Sequence, residues 1–278
     1  MVAYDPKYPR AHYDRVGIYE WTRLTRSRHG ELNFLVHMDV MRRHIKDSMN
    51  VLEIGAGAGI YTKELVQMCR RLVVADISKL QLDANQEKMG ELGLLNLVAE
   101  YRQLDLVDLS PLAAESFDAI VCIGGTLSYL LDKASVGVQQ MLRTVKPRGI
   151  VILGVMSLIN SVVRLMHLVP PTKEIRGLTN TRWLLETGLQ DQEHNPETEH
   201  YCHMMTSADI DELLDLDVVE IVERRAAGLL GMAGEESLNA VRADTDLWNL
   251  IVERELEWSK LPSALDLGDN IVYVVRRR

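Results

Sequence analysis

The sequence predicts an α/β domain built on a doubly wound, mainly parallel sheet. Strand-like and helix-like segments alternate from about residue 49 onward, a pattern typical of such sheets. A glycine-rich turn follows the first strand-like segment, and an acidic residue stands at the end of each of the next two. With 278 residues, 47% of them apolar and 26% charged, the chain is long enough to bury a substantial core.

Five apolar segments are predicted as the central strands. They lie at residues 51–54, 72–76, 98–106, 117–125 and 150–156. Helices are predicted after the first, second and fourth strands, whereas the loop 107–116 follows the third. The helix before the fifth strand carries apolar side chains at helical spacing up to Val145. Residues 146–149, with a proline and a glycine, are predicted to end it.

We expect one domain with two additions. Residues 1–48 are predicted to form an N-terminal helical cap of two helices, and residues 49–278 the core, with an irregular insertion or lid at about 157–205. The cap is rich in aromatic residues, which fits either packing on the sheet edge or a cover over a ligand cleft. After the insertion, the sequence predicts a helix capped by Thr206, a strand, a long charged helix and a final strand at 270–278.

The composition indicates the compartment and the kinds of partner to expect, from the net charge, the cysteines and the hydropathy. The net charge of −9 argues against a protein that coats nucleic acid, which needs a basic surface. The three cysteines are far apart and odd in number, so they predict no disulfide framework and favour a reducing cytoplasm. Residues 149–170 are apolar enough to consider as a membrane span. Polar side chains interrupt that segment, so we expect no membrane span.

The glycine-rich turn suits a cationic nucleoside ligand. Gly55, Gly57 and Gly59 follow a strand and precede a helix, so backbone amides at the helix start can approach a ligand closely. A dinucleotide fingerprint needs its third glycine at the position that Ile60 occupies. Glu53, just before the turn, would repel a pyrophosphate but attract a cation. S-adenosylmethionine, which carries a sulfonium and an ammonium and no phosphate, fits both features.

Two acids stand at the ends of successive strands. Asp76 ends the second strand, 19 residues beyond Gly57, where a carboxylate can accept both hydroxyls of a ribose. Asp105 ends the third, where it can accept a hydrogen bond from an adenine amino group. Either acid alone is more often the N-cap of a helix than a ligand contact. Together they indicate a ligand site, because open α/β sheets bind ligands at the carboxyl edge.

The motifs carry a resemblance to a known family. EIGAGAG, VVADIS, QLDLVDLS, FDAIVCIGGTLSYL and KPRGIVILGV resemble, in content and order, class I S-adenosylmethionine-dependent methyltransferases over residues 49–156. The resemblance implies a seven-stranded Rossmann-like sheet with the last strand antiparallel. EWTRL in the cap and GGTLSYL after the fourth strand are similar to a bacterial branch of small-molecule methyltransferases. The tetrapeptide (Asn/Asp)-Pro-Pro-(Tyr/Phe) of amide-methylating enzymes is absent after that strand, which disfavours methylation of DNA adenine or of a protein glutamine.

The resemblance implies ten cofactor-binding positions, grouped by the part of S-adenosylmethionine that they would contact. They are Glu53, Gly55, Ala56 and Gly57 for the methionine part, Asp76 and Ile77 for the ribose, Asp105 and Leu106 for the adenine, and Ile123 and Gly124 for the methyl-donor site.

Methyl transfer from a sulfonium depends mainly on holding acceptor and methyl group together in a site poor in water. A base is needed only where the acceptor loses a proton. Tyr13 is a candidate for shielding the donor and Tyr129 for reaching the acceptor, although both residues can equally pack against the core. His167, in the apolar insertion, is a candidate base near neutral pH. The alternative for His167 is a plain structural histidine.

Two features of the insertion bear on function: a group of histidine and cysteine residues and an apolar segment. His200, Cys202 and His203 invite a metal interpretation, but their spacing lacks a second half and we predict no metal. Contact with the acceptor by His200 or His203, or a plain strand surface, fits better. The apolar residues 157–171 favour a lipophilic or aromatic acceptor, or else a dimer or lid contact.

The sequence therefore predicts a cytoplasmic methyltransferase that uses S-adenosylmethionine, releases S-adenosylhomocysteine, and acts on a small apolar or aromatic molecule in specialised metabolism. O-methylation is favoured, with N- or C-methylation open. The alternatives are an RNA or protein methyltransferase, a non-catalytic subunit that binds S-adenosylmethionine, and a nicotinamide-dependent oxidoreductase. We expect no nucleic-acid or membrane partner. A homo-oligomer could form through the N-terminal segment or the insertion.

Overall fold

The computed structural model describes residues 3–194 and 200–278. Its strands are β1 (Asn50–Ile54), β2 (Arg71–Asp76), β3 (Val98–Gln103), β4 (Phe117–Cys122), β5 (Val145–Met156), β6 (Leu189–Gln190), β7 (Cys202–His203), β8 (Val219–Ala227) and β9 (Asn270–Arg277). Seven of them form one sheet in the order β3-β2-β1-β4-β5-β9-β8. Strands β1 to β5 pair in parallel, and β9 runs antiparallel to both β5 and β8. The predicted seven-stranded α/β sheet with an antiparallel last strand is confirmed.

Helices cover both faces of this sheet. They are α1 (Lys7–Val16), α2 (Tyr19–Thr22), α3 (Arg28–His44), α4 (Thr62–Leu65), α5 (Lys79–Glu91), α6 (Ala134–Thr144), α7 (Leu158–Arg164), α8 (Val169–Thr187), α9 (Ser207–Leu213), α10 (Glu235–Arg242) and α11 (Thr245–Trp258). Successive strand residues alternate between two buried clusters: Leu52 and Ile54 join one, and Val51 joins the other. This alternation follows from the two-residue period of a strand. It explains why the central strands are apolar throughout.

The structure differs from the predicted elements around β5. This strand begins at Val145, which the sequence pattern assigns to the preceding helix. The pairing with β4 jumps from Phe117↔Val145 to Ala119↔Ile150, so residues 146–149 form a bulge within the strand instead of ending the helix. Arg148 adopts a positive φ of 64° there. The proline and glycine that the sequence pattern predicts as the end of the helix thus lie in a bulge of β5.

The two additions are more helical than predicted. The N-terminal region contains three helices, α1 to α3, instead of two. The described part of the insertion holds α7 and α8 in place of irregular structure, while residues 195–199 of its acidic stretch lie outside the described residues. The long charged helix is divided into α10 and α11 because the side chain of Asp244 accepts hydrogen bonds from the backbone of the first turn of α11.

The apolar segment 149–170 is shared between β5, α7 and the start of α8. No helix within residues 3–194 and 200–278 is both long enough and apolar enough to cross a membrane.

The strand order determines where the sheet can form a crevice. Strands β1 and β4 pair side by side; β2 and β3 extend the sheet on one side of them and β5 on the other, so the order in which strands are added switches between β1 and β4. Such a switch point leaves a crevice at the carboxyl ends of the strands. Helix α1 lies near α5, beside this edge. The boundary between cap and core at residue 48 stays a prediction.

Candidate functional site

The glycine-rich turn after β1 is a tight structure that only glycine fits. Gly55 and Gly57 have φ values of 75° and 53°, in the region that side chains other than glycine rarely adopt. A Cβ atom at Gly55 would lie 2.0 Å from the Oγ1 atom of Thr126. The backbone of the turn therefore packs directly against the loop after β4, and both segments border the same space.

Asp76, the last residue of β2, holds this turn in place. One carboxylate oxygen accepts a hydrogen bond of 2.8 Å from the backbone of Gly57, and the other accepts one of 2.8 Å from the backbone of Ser78. Burial raises the pKa of Asp76 to about 6, although these backbone hydrogen bonds act in the opposite direction. The side chain is thus ionised above that pH and lies at the mouth of the glycine turn.

Asp105 is contacted from the N-terminal region. The hydroxyl of Tyr4 donates a 2.8 Å hydrogen bond to one oxygen of Asp105, and the backbone of Val107 donates a 3.1 Å bond to the other. The backbone of Tyr4 donates in turn to Asp132 at 2.7 Å. These bonds fasten the start of the chain across the carboxyl ends of the strands.

A cavity, here called the first cavity, lies between the glycine turn, the strand ends and the N-terminal helices. It brings together nine of the ten predicted cofactor positions, namely Gly55, Ala56, Gly57, Asp76, Ile77, Asp105, Leu106, Ile123 and Gly124. Tyr4, Tyr13, Glu20, Arg23 and Tyr61 line it as well. The role of each residue as a cofactor contact stays a prediction.

Glu53 is the predicted position that the structure keeps away from this cavity. Its side chain is 2% exposed and accepts a 2.7 Å hydrogen bond from the hydroxyl of Thr62. Burial raises its pKa to about 8, so the group is mostly uncharged at neutral pH. The side chain points from β1 towards α4 and does not line the cavity, so the geometry does not support the predicted contact of Glu53 with the donor.

The N-terminal region supplies an ion pair that sequence reasoning missed. A carboxylate oxygen of Glu20, in α2, accepts a 2.7 Å hydrogen bond from the Nε atom of Arg23, and both side chains line the first cavity. The sequence signals in this region were the cluster of aromatic residues, which suggested a cover over a cleft, and the segment EWTRL, which contains both residues but gave no role to either. The structure places Tyr4 and Tyr13 in that position.

A second cavity adjoins the first. The two share Tyr13, Glu20, Arg23, Gly124 and Tyr129, and the second is completed by His12, Val16, Met156, Ser161, Arg164, His200, Asp269 and Asn270. Most of these side chains are polar or charged. Arg164 and Asp269 form an ion pair of 3.2 Å across it. This composition differs from the apolar acceptor surface that the sequence predicts.

Tyr129 and His200 are joined where the two cavities meet. The hydroxyl of Tyr129 lies 2.8 Å from the Nε2 atom of His200, and the rings of His12 and His200 are 4.6 Å apart. Burial, followed by the charges of His12 and Arg15, lowers the pKa of His200 to about 4. Burial raises the pKa of Tyr129 well above its usual range. At neutral pH the pair is therefore an uncharged phenol beside an uncharged imidazole.

His167 does not belong to either cavity. It lies on an exposed single turn, Met166–Leu168, and lines neither of them. The structure thus brings His167 into neither cavity, and its role as a base stays a prediction without support from the geometry. The segment after α7 turns its apolar side chains outward, as the 54% exposure of Met166 illustrates. In residues 3–194 and 200–278, no three His, Cys, Asp or Glu side chains are grouped as a metal site.

Comparison with known proteins identifies the core. Residues 52–153 match the family described as "Methyltransferase domain". Nodulation protein S of Sinorhizobium fredii is 32% identical over 108 residues, which is 38% of this chain and 46% of that protein. The ubiquinone biosynthesis O-methyltransferase of Leptothrix cholodnii is 27% identical over 56% of this chain and 72% of its own length. The chain thus spans less than half the length of the nodulation protein.

Solved structures share the fold at low identity. The [4+2]-cyclase SpnF superimposes with a TM-score of 0.52 at 15% identity, over 88% of this chain and 80% of its own. The YcgJ protein of Bacillus subtilis gives 0.51 at 13% identity, over 88% of this chain and 98% of its own. Residues 52–153, which include the glycine turn, Asp76 and Asp105, thus match a methyltransferase domain, and most of the chain shares its fold with these solved structures.

Proposed function

We propose that this protein transfers a methyl group from S-adenosylmethionine to a small polar molecule. The observation that carries the proposal is the pair of adjoining cavities with a common wall of Tyr13, Glu20, Arg23, Gly124 and Tyr129. The first suits the donor and the second an acceptor. A shared wall is what in-line methyl transfer requires, since the acceptor must approach the donor from one side.

The residues of the first cavity fit the donor. Asp76 presents a buried carboxylate for the ribose hydroxyls, and Asp105 and Leu106 offer an acid and an apolar surface for adenine. The hydroxyl of Tyr61 is buried beside the cavity and makes no hydrogen bond within the described residues, so a ligand would satisfy it. When bound, the donor supplies a methyl group on a positively charged sulfur.

The second cavity favours an acceptor that loses a proton, and so O-methylation. If Tyr129 donates its proton to Nε2 of His200, its oxygen can accept the proton of an acceptor hydroxyl. Both groups are uncharged at neutral pH, as this transfer needs. The lining by Arg164, Asp269 and Asn270 fits a polar acceptor better than the lipophilic one expected from residues 157–171.

Three relatives bear on the kind of substrate. One is an O-methyltransferase of ubiquinone biosynthesis, which fits a small-molecule acceptor, and another is a nodulation protein, which fits specialised metabolism. A third is an rRNA methyltransferase of Streptomyces thermotolerans, 36% identical over 76 residues. RNA remains the rival substrate, disfavoured by a net charge of −9. The fold match to a [4+2]-cyclase means that the fold alone does not define the reaction.

The proposal also includes the cellular compartment and the oligomeric state. Cys69, Cys122 and Cys202 are unpaired, which supports a reducing compartment such as the cytoplasm. A homo-oligomer through the N-terminal segment or the insertion stays a prediction. Exposed apolar residues in both, for example Tyr19 at 63% and Ile175 at 65%, are compatible with it.

Calorimetric titration followed by a transfer assay tests the proposal. We expect S-adenosylmethionine and S-adenosylhomocysteine to bind and NAD not to bind. Tritium from the methyl group of labelled S-adenosylmethionine should then enter members of a panel of small phenols, alcohols and amines, with the hydroxyl compounds preferred. Incorporation into RNA but into no small compound would favour the rival, and binding of NAD alone would refute the donor assignment.

A further inference from the structure

The cationic end of the donor needs an acidic partner, and the expected one is out of reach. Glu53 is bonded to Thr62 behind the glycine turn and does not line the first cavity. Asp76 is engaged with the backbone amides of Gly57 and Ser78. We therefore ask which other acid that lines the first cavity lies close to the glycine turn.

Glu20 is the acid in the right place. It is 9% exposed and lines both cavities. Its Cγ atom would lie 3.3 Å from a Cβ atom built on Gly57, so the side chain lies directly over the glycine turn. Asp269 is also near but lines the second cavity alone, where His29, Asn33 and Arg164 hold its carboxylate.

Arg23 places a positive charge beside the carboxylate of Glu20. Its Nε atom donates to Glu20, and its Nη2 atom would lie 3.7 Å from a Cβ atom built on Gly124, at the end of β4. A guanidinium carries five N–H groups in a planar fork, so the bond to Glu20 leaves it able to bind a carboxylate through two others. The side chain is 43% exposed, and that of Glu20 11%.

We propose that the Glu20–Arg23 pair recognises the amino-acid end of the donor, with Glu20 binding its ammonium and Arg23 its carboxylate. An amino-acid group carries both charges about one carbon apart, and the pair presents the complementary two at the boundary of the cavities. This inference rests on the proposed function, since it takes the first cavity to be the donor site. It assigns to the N-terminal segment a part of donor recognition that the glycine turn does not supply.

Two ligands that differ only at this end provide the test. S-adenosylhomocysteine and 5′-methylthioadenosine share the adenosine and the thioether, and only the former carries the amino-acid group. We expect Glu20→Gln and Arg23→Gln each to weaken S-adenosylhomocysteine by about tenfold or more in calorimetric titrations. Affinity for 5′-methylthioadenosine should stay within about threefold of wild type, which also shows that the cavity remains folded.

Matched controls come from the same region. Glu31→Gln removes a carboxylate paired with Arg28 in α3, and Arg26→Gln removes a guanidinium that lies over Tyr19. Both residues lie outside the two cavities, so neither variant should change the affinity for either ligand. Arg23→Lys keeps the charge but loses the fork, and should fall between wild type and Arg23→Gln.

The possible results distinguish a failure of the inference about Glu20 and Arg23 from a failure of the proposed function. If the wild type binds both ligands and the Glu20 and Arg23 variants keep wild-type affinity for S-adenosylhomocysteine, the inference is overturned and the proposed function stands. An equal loss for both ligands also overturns it, because the pair would then support the cavity as a whole. If the wild type binds neither ligand, the proposed function and the inference fail together.

Discussion

The floor of the first cavity and its cover are built in different ways. The floor consists of strand ends and the glycine turn, where Asp76 bonds to Gly57 only 19 residues away. The cover is formed by the N-terminal helices, tied down by contacts such as Tyr4 to Asp105, 101 residues apart. The floor is thus fixed by the sheet, whereas the cover depends on a few long-range contacts. Substitutions in the floor and in the cover should therefore have different effects on binding, stability and catalysis.

The largest effect is expected in the floor. Asp76→Ala removes both a ribose acceptor and the bond that holds the backbone of Gly57. We expect affinity for S-adenosylmethionine to fall by about 100-fold or more, because two charge-assisted hydrogen bonds are lost. Calorimetry measures it, and Asp83→Ala, which removes an exposed acid paired with Lys79, is the control. Near-normal affinity in Asp76→Ala would refute its assignment to the ribose.

The next largest effect tests how tightly the floor is packed. Gly55→Ala places a Cβ atom 2.0 Å from Oγ1 of Thr126, at a φ of 75°. Gly93→Ala has a similar φ of 71° but no atom within 4 Å, so it measures the conformational cost alone, about 1–2 kcal/mol. We expect Gly55→Ala to lose more free energy of unfolding in urea and also to weaken S-adenosylhomocysteine binding. Equal losses in both variants would show that the turn can relax away from Thr126.

Sequence reasoning succeeded on the floor for a physical reason. Apolar runs and the glycine spacing define strands and a turn locally, and parallel strands bring their carboxyl ends to one edge, so Asp76 and Asp105 could be placed near each other. The position of Glu53 was not foreseen: side chains alternate along a strand, and this one lies behind the turn, bonded to Thr62. A cover over a cleft was one of the predicted alternatives, but its contacts could not be predicted, because nothing local indicates that Glu20 meets Gly57 or that Tyr129 meets His200.

An effect on kcat instead of on donor binding is expected where cover and insertion meet. Tyr129→Phe removes the hydroxyl beside His200, and we expect kcat to fall by about 100-fold with little change in S-adenosylhomocysteine affinity. The wild-type rate should be level near neutral pH and decline as pH falls towards 4, because His200 accepts a proton only while its imidazole is neutral. The control is Tyr101→Phe in β3, which removes a hydroxyl that donates to Asn85 of α5. An unchanged kcat in Tyr129→Phe would exclude the pair from proton transfer.

The smallest effect on binding is expected at Glu53, the floor residue that the cavity does not use. Because burial raises its pKa from 4.5 to about 8, the folded protein holds a proton that the unfolded chain has released between these pH values. Its contribution to the free energy of unfolding is therefore fully present below about pH 4.5 and declines as pH rises towards 8. Glu53→Gln should flatten this decline in urea unfolding measured from pH 5 to 9, while S-adenosylhomocysteine affinity stays within about threefold. A larger loss of affinity would mean that Glu53 contributes charge to the donor site after all, and that the division of labour with Glu20 is wrong.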